Sequence, residues 1–297
     1  MNFIAFLVGL GIERLLSARL AIREPGWLLV YVRAALRAVA WRDETGLPLA
    51  ILCAVLPGIL VATVIALPEV AAHGLVRVLL AAVVLFFSLG PRDLRQEVTE
   101  YRAALARNDA AGAARLATAI LEHDAAQRQG PSLESVAEAV FVQANNRLFG
   151  VLFWFAIAGP FGALTFRVTD LMRREAILRA ERADAPPTAA LVGHICQRVH
   201  GVIAFLPARL LALTYGVAGS FEESFTGWRG YLAAESDHFF DANDRLLLHA
   251  GRGALGASWE RAPDEAARAH AALALTDAAF YVWLAAFALL TLVAWIA

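Results

Sequence analysis

The chain contains no lysine: all 26 of its basic residues are arginine. That absence excludes the lysine of a phosphate-cradling P-loop, a Schiff-base nucleophile and the lysine of a kinase fold. Cysteine is scarce as well. Cys53 and Cys196, the only 2 in 297 residues, support neither a disulfide framework nor a zinc site and say little about compartment. Charged residues make up 18% of the chain, against roughly 25% in an average soluble domain. Their balance of −1 gives no electrostatic case for nucleic acid. No Gly-x-Ser-x-Gly nucleophile elbow occurs, no stretch alternates like a strand, and no internal repeat of the transporter kind is present.

What fills the chain instead is apolar, at 59% of residues. Pro48 to Leu67 and Ala278 to Ala297 are each 20 residues without a charge. About 20 residues at 1.5 Å each cross roughly 30 Å of hydrocarbon, so both predict transmembrane helices. Val70 to Gly90 is a third candidate and carries only Arg77, whose long side chain can snorkel to the head groups. The fourth is Leu148 to Phe166. The expected organisation is therefore a single integral membrane domain over 1–297, all-α and polytopic, with spans at 48–67, 70–90, 148–166 and 278–297. Helical extramembrane segments are expected at 13–42, 92–144, 167–199 and 222–273, with an interfacial or cavity-lining helix at 200–221. Met1 to Ile12 is apolar without a small-residue cleavage site after it, so its retention is expected.

Arginine counting sets the sidedness, because arginine-rich flanks stay cytoplasmic. Residues 13–47 carry six arginines, residues 90–147 carry seven, and the connection Pro68 to Gly74 carries none. Residues 167–199 then carry six more, which a single crossing by 148–166 would strand outside. That segment is interrupted by Gly159-Pro160-Phe161-Gly162, and proline and glycine both oppose a continuous helix. Two readings follow: a kinked crossing, or a re-entrant segment that enters and leaves on one side.

Between the spans, helix signals dominate. Asn108-Asp109 splits two amphipathic helices, Gly130-Pro131 closes the second, and Ser135-x-x-Glu138 fits a capping box. Arg209, behind Pro207, sits at the centre of the apolar run His200 to Phe221. It must face a polar cavity, a partner or the interface, or snorkel. His238, Asp241, Asp244 and His249 invite a metal reading, but their spacing matches no closed motif and no metal or cofactor is expected. Gly251 to Gly256 reads G-x-G-x-x-G, yet a helix rather than a strand precedes it, so a glycine-rich helix end is the expectation.

Several phrases carry family resemblances. "GIERLL", "NNRLFGVLFWFAIAGPFGALTFR", "VHGVIAFLPARLLALTYGVAGSF" and a single C-terminal span, in that order, resemble AmpE. That resemblance implies a multi-pass protein of the bacterial inner membrane, a regulator or sensor linked to β-lactamase induction and peptidoglycan recycling. More distantly, "AALARNDAAGAARLATAILEHDA", "ESVAE", "GPFGALTFR", "PARLLAL" and Asn243 with "AGRGALG" are similar to the adenosylcobinamide-phosphate synthases. Those are membrane enzymes of cobalamin biosynthesis that join an aminopropanol moiety to a cobyric acid carboxylate. The chain departs from them at Ala139, where they carry Asn, and lacks the Asp-Gly that follows. The resemblance implies a shared polar pocket drawn from Glu134, Glu138, Arg167, Pro207, Arg209 and Asn243.

Glu13 and Asn146 border apolar segments and join the candidate ligand-binding set. Expected partners are the lipid bilayer and a small anionic ligand or cell-wall recycling metabolite, with arginines matching carboxylate or phosphate geometry. A homo-oligomer is compatible with all of this, and nucleic acid is not expected.

Overall fold

The computed structural model describes residues 26–41, 46–89, 94–121, 135–233 and 241–296. Glu13, the "GIERLL" phrase, Glu134 and His238 lie outside the described residues. Every regular element among the described residues is helical, and no strand occurs there. The chain divides into two compact units, 1–92 with 146–204 and 93–145 with 205–297.

In the first unit, α1 (Gly26–Ala40) places Leu28, Val32, Leu36 and Val39 on one buried stripe, the pattern of an amphipathic helix. α2 (Gly46–Ala66) is apolar all round, as a helix without a water-facing side should be. Its outer face exposes Ile51, Leu52, Leu56, Ile59, Leu60 and Val64, a surface suited to lipid rather than water. The stretch expected as a span at 70–90 is interrupted at Ala72-His73, leaving α3 (Pro68–Ala71) and α4 (Gly74–Ser88). At 1.5 Å per residue, α4 is about 22 Å long.

α8 (Gly150–Ala180) follows α7 (Val136–Ala144) through a π-helical turn at Asn145–Phe149. α8 is two helices rather than one, because Gly159 has φ 61° and ψ −150°. The chain reverses there. A Cβ on Gly162 would meet the backbone carbonyl of Trp154, and one on Gly150 would meet the Phe166 ring. Residues eight and sixteen positions apart in a straight helix lie about 12 and 24 Å apart. Their contact pairs the two legs antiparallel about Gly159-Pro160. The expected broken helix at 148–166 is thus a helical hairpin. The second leg buries Leu164, Val168, Leu171 and Met172 against α1, α2 and the first part of α9 (Ala189–Ala218), through Val192, Ile195, Cys196 and Val199.

The second unit is built from α5 (Leu94–Ala106), α6 (Ala110–Leu121), α7, the end of α9, α10 (Phe221–Ala233), α11 (Asp241–Leu255), α12 (Ala257–Glu260) and α13 (Glu265–Ile296). Ser135 caps α7 by accepting from the Glu138 amide at 3.2 Å. The Glu138 carboxylate, expected to complete a capping box, pairs elsewhere. Pro207 lies inside α9 without ending it, so the run expected to be interfacial belongs to a 30-residue helix. Four helical stretches are long and apolar enough to cross a membrane: Gly46–Ala66, Val136–Ala180, Ala189–Ala218 and Glu265–Val293. The reversal at Gly159 divides the second of these.

The glycines of "GRGALG" serve packing. Gly251 faces the Phe141 ring, a Cβ on Gly253 would lie 2.5 Å from the Glu223 carbonyl oxygen, and Gly256 ends α11 with φ 47°. No described strand precedes them, which removes the dinucleotide fingerprint's structural context.

Gly159 has open space around its Cβ position, so only its backbone conformation requires glycine. Gly159→Ala is expected to cost about 1–3 kcal/mol. Gly193→Ala, also in open space but helical, is expected to be neutral or to stabilise by roughly 0.5–1 kcal/mol. Thermal unfolding of the two variants in detergent checks the contrast.

Candidate functional site

The base of the hairpin is polar and buried. On the second leg, Arg167, Asp170 and Arg173 recur every three residues, so all three point one way. Asp170 is fully buried, and its Oδ2 accepts from Arg167 and its Oδ1 from Arg173, both at 2.9 Å. Two guanidiniums thus neutralise one carboxylate, leaving the trio cationic. Removing an ionised carboxylate from water costs several kcal/mol, and these charged hydrogen bonds offset it.

His200 of α9 ties both legs together. Its Nδ1 lies 3.3 Å from Thr169 Oγ1 on the second leg, and its Nε2 lies 3.3 Å from Asn146 Oδ1 on the first. Thr169 donates its single hydroxyl proton to the Phe166 carbonyl at 2.7 Å, so toward His200 it accepts. Neutral His200 then carries its proton on Nδ1 and presents Nε2 as an acceptor, which suits Asn146 with its amide NH2 turned toward the ring. An imidazolium suits the oxygen instead. The Phe166 ring packs 5.2 Å from the imidazole, completing the enclosure.

The second unit holds its own polar set. Arg209 donates from Nη1 to the Phe205 carbonyl and to Asn243 Oδ1, each at 2.9 Å, with its guanidinium 3.3 Å from the Phe205 ring centroid. The arginine expected to need a polar partner finds an amide, a carbonyl and an aromatic face. Pro207, two residues before it, is buried. Glu138 accepts from Arg252 at 3.0 Å, and the Trp259 ring lies under both Arg252 and Arg268. His249 lies about one turn before Arg252 on α11. Burial, and then the positive charges of Arg252 and Arg245, hold His249 below the ordinary histidine value.

The expected site residues therefore fall into two groups: Asn146 and Arg167 in the first unit, and Glu138, Pro207, Arg209 and Asn243 in the second. Asp170, Arg173, Thr169, His200, Arg252 and Trp259 were not expected. The spacing Arg167-x-x-Asp170-x-x-Arg173 was the available signal for the first two. Among the described residues, no three His, Cys, Asp or Glu side chains stand together as metal ligands.

Comparison with known proteins then decides the family. The model for the CobD/Cbib protein family matches residues 19–262. The chain belongs to the CobD/Cbib family. It is 28% identical over 175 residues to "Cobalamin biosynthesis protein CobD" of Stutzerimonas stutzeri, covering 59% of this chain and 54% of that protein. To the protein of the same description from Chromobacterium violaceum it is 27% identical over 185 residues, 62% of this chain and 56% of the relative. The chain thus spans about half the length of the curated relatives it matches. No solved structure matches. These names carry the cobalamin resemblance, and neither mentions AmpE or β-lactamase regulation.

Losing Asp170 from its trio leaves the buried Arg167 and the half-buried Arg173 without their carboxylate. Asp170→Ala is expected to cost about 3–5 kcal/mol and to lower membrane abundance, read by unfolding in detergent and by immunoblot. His249 acts by linkage. With its folded pKa below its unfolded value of about 6.5, the unfolded state binds the extra proton, so stability falls as pH drops through the window beneath that value. His249→Gln is expected to flatten that segment of the stability–pH curve.

Proposed function

We propose that this CobD/Cbib member acts in cobalamin biosynthesis, as a membrane-embedded protein of the adenosylcobinamide-phosphate synthase kind. On this reading it joins the amine of an aminopropanol moiety to a corrinoid carboxylate as an amide, the carboxylate first activated by a nucleoside triphosphate so that one of its oxygens leaves on phosphate. The observation that carries it is the family match over residues 19–262, reinforced by Arg209 and Asn243. Arg209 lies in the phrase "PARLLAL" and Asn243 a few residues before "AGRGALG", and the two meet at 2.9 Å. An arginine that must be stabilised by an amide and an aromatic face in an apolar helix has a reason to be there. A guanidinium in a low-dielectric setting recognises carboxylate or phosphate with two parallel donors, which suits a substrate that brings a reacting carboxylate. Family membership and an arginine-lined setting support an enzyme more than a regulator of β-lactamase induction.

The test is genetic and chemical together. A host strain deleted for this gene should fail to make cobalamin from a corrinoid carboxylate precursor, yet make it when given the corresponding amide. Membranes holding the intact chain should convert the precursor, and Arg209→Ala should lower conversion by about 10- to 100-fold, the effect of losing a charged hydrogen bond. Unchanged corrinoid synthesis in the deletion strain, with altered β-lactamase induction, would replace this reading with the regulatory one.

A further inference from the structure

We propose that the hairpin Asn146–Asp170 is re-entrant: it enters the bilayer from the arginine-bearing side, turns at Gly159-Pro160 near mid-depth, and leaves on the side it came from. The hydrocarbon core of the membrane is the partner of its tip. This inference stands on geometry within the first unit and does not depend on the reaction proposed above.

Three pairings define the two legs. Trp154 lies beside Gly162, Gly150 beside the Phe166 ring, and Asn146 and Thr169 share His200. Each pair is centred on the same point in the chain, next to Gly159, so the legs run antiparallel from tip to base. The uncharged stretch Leu148 to Phe166 is split into legs of about ten residues, or roughly 15 Å each. That is half of the roughly 30 Å hydrocarbon thickness.

α2 measures the depth independently. A Cβ on Gly46, at its start, would lie 3.2 Å from both Val39 of α1 and Ile195 of α9. Farther along, a Cβ on Gly58 would lie 2.9 Å from the Phe161 carbonyl oxygen, just past the tip. Gly58 is the eleventh of the 20 uncharged residues Pro48 to Leu67, so the tip reaches about halfway along this span. The rest of α2 runs on past the tip.

The charges agree. Arg147 and Arg167 bracket the apolar legs, and the base carries Asp170 and Arg173. The far end of the second leg stays with α1, where Arg33 pairs Glu175 at 3.1 Å. Reversal therefore returns the six arginines of residues 167–199 to the side where the earlier arginine-rich segments lie. Non-helical backbone at membrane depth survives where protein encloses it. Here the legs are enclosed by α2 and α9, with the Trp154 indole donating to the Ile203 carbonyl at 3.1 Å. At the tip Ile157 remains 61% exposed, an apolar side chain with lipid as its natural neighbour.

The test uses the full chain with Cys53→Ala and Cys196→Ala as background and single cysteines at Trp41→Cys, Glu69→Cys and Arg182→Cys, all exposed positions. A membrane-impermeant maleimide is added to spheroplasts and to inside-out vesicles, and only variants with wild-type abundance are scored. Re-entry predicts that positions 41 and 182 label from one side and position 69 from the other. Labelling of 41 and 182 from opposite sides would make the segment a crossing and overturn the proposal. A second measurement reads depth. A bimane on Ile157→Cys in vesicles of nitroxide-labelled phosphatidylcholine should be quenched most by mid-chain labels. Stronger quenching by head-group labels would place the tip at the surface and contradict mid-depth insertion.

Discussion

A reversal of the backbone inside an apolar segment is the constraint on which the first unit depends. Gly159 adopts a conformation that other residues resist, Pro160 supplies no amide donor, and the legs must find their hydrogen bonds within themselves or across to neighbours. Once the chain turns, residues far apart in sequence become neighbours in depth. Asn146 comes level with Thr169, and a single histidine from α9 spans both. The core of α1, α2 and α9 side chains then packs around the second leg.

The same constraint concentrates charge. Arg167, Asp170 and Arg173 lie along one helical face at the hairpin base, where one carboxylate holds two guanidiniums. In the second unit Arg209 is held by Asn243, the Phe205 carbonyl and an aromatic ring, and Glu138 by Arg252 over Trp259. At the hairpin base, where Asp170 and Arg167 are both buried, their pairing keeps a carboxylate and a guanidinium ionised at a desolvation cost that ordinary packing would avoid.

Much of this was legible in the sequence. All-helical character followed from apolar spacing and the lack of strand alternation, and the break at Gly159-Pro160 followed from residue type and from arginines on both flanks. Ser135 was legible as a cap because its hydroxyl needs only local geometry. The pairing of Glu138 with Arg252 was not, since the two lie 114 positions apart and no local rule selects one arginine among 26. His200 was hidden for the same reason: its partners sit on two other helices, and only the reversal brings them together. Asp170 was overlooked although its spacing from two arginines is a local signal. At 70–90 His73 interrupts the apolar run, and at 200–221, read as interfacial from Arg209 at its centre, the proline is absorbed inside a long helix.

The hairpin itself is the claim to test most directly, through the separation of positions 146 and 169. In a straight helix these 23 positions span about 34 Å, beyond the reach of any short bifunctional reagent. With both native cysteines replaced, Asn146→Cys together with Thr169→Cys can be treated in membranes with a rigid bis-maleimide about 10 Å long, a third of the straight-helix span. A cross-link within one chain, located by mass spectrometry between the two peptides, is the predicted result. Full modification of both cysteines by separate reagent molecules, with no intrachain cross-link, would contradict the reversal at Gly159.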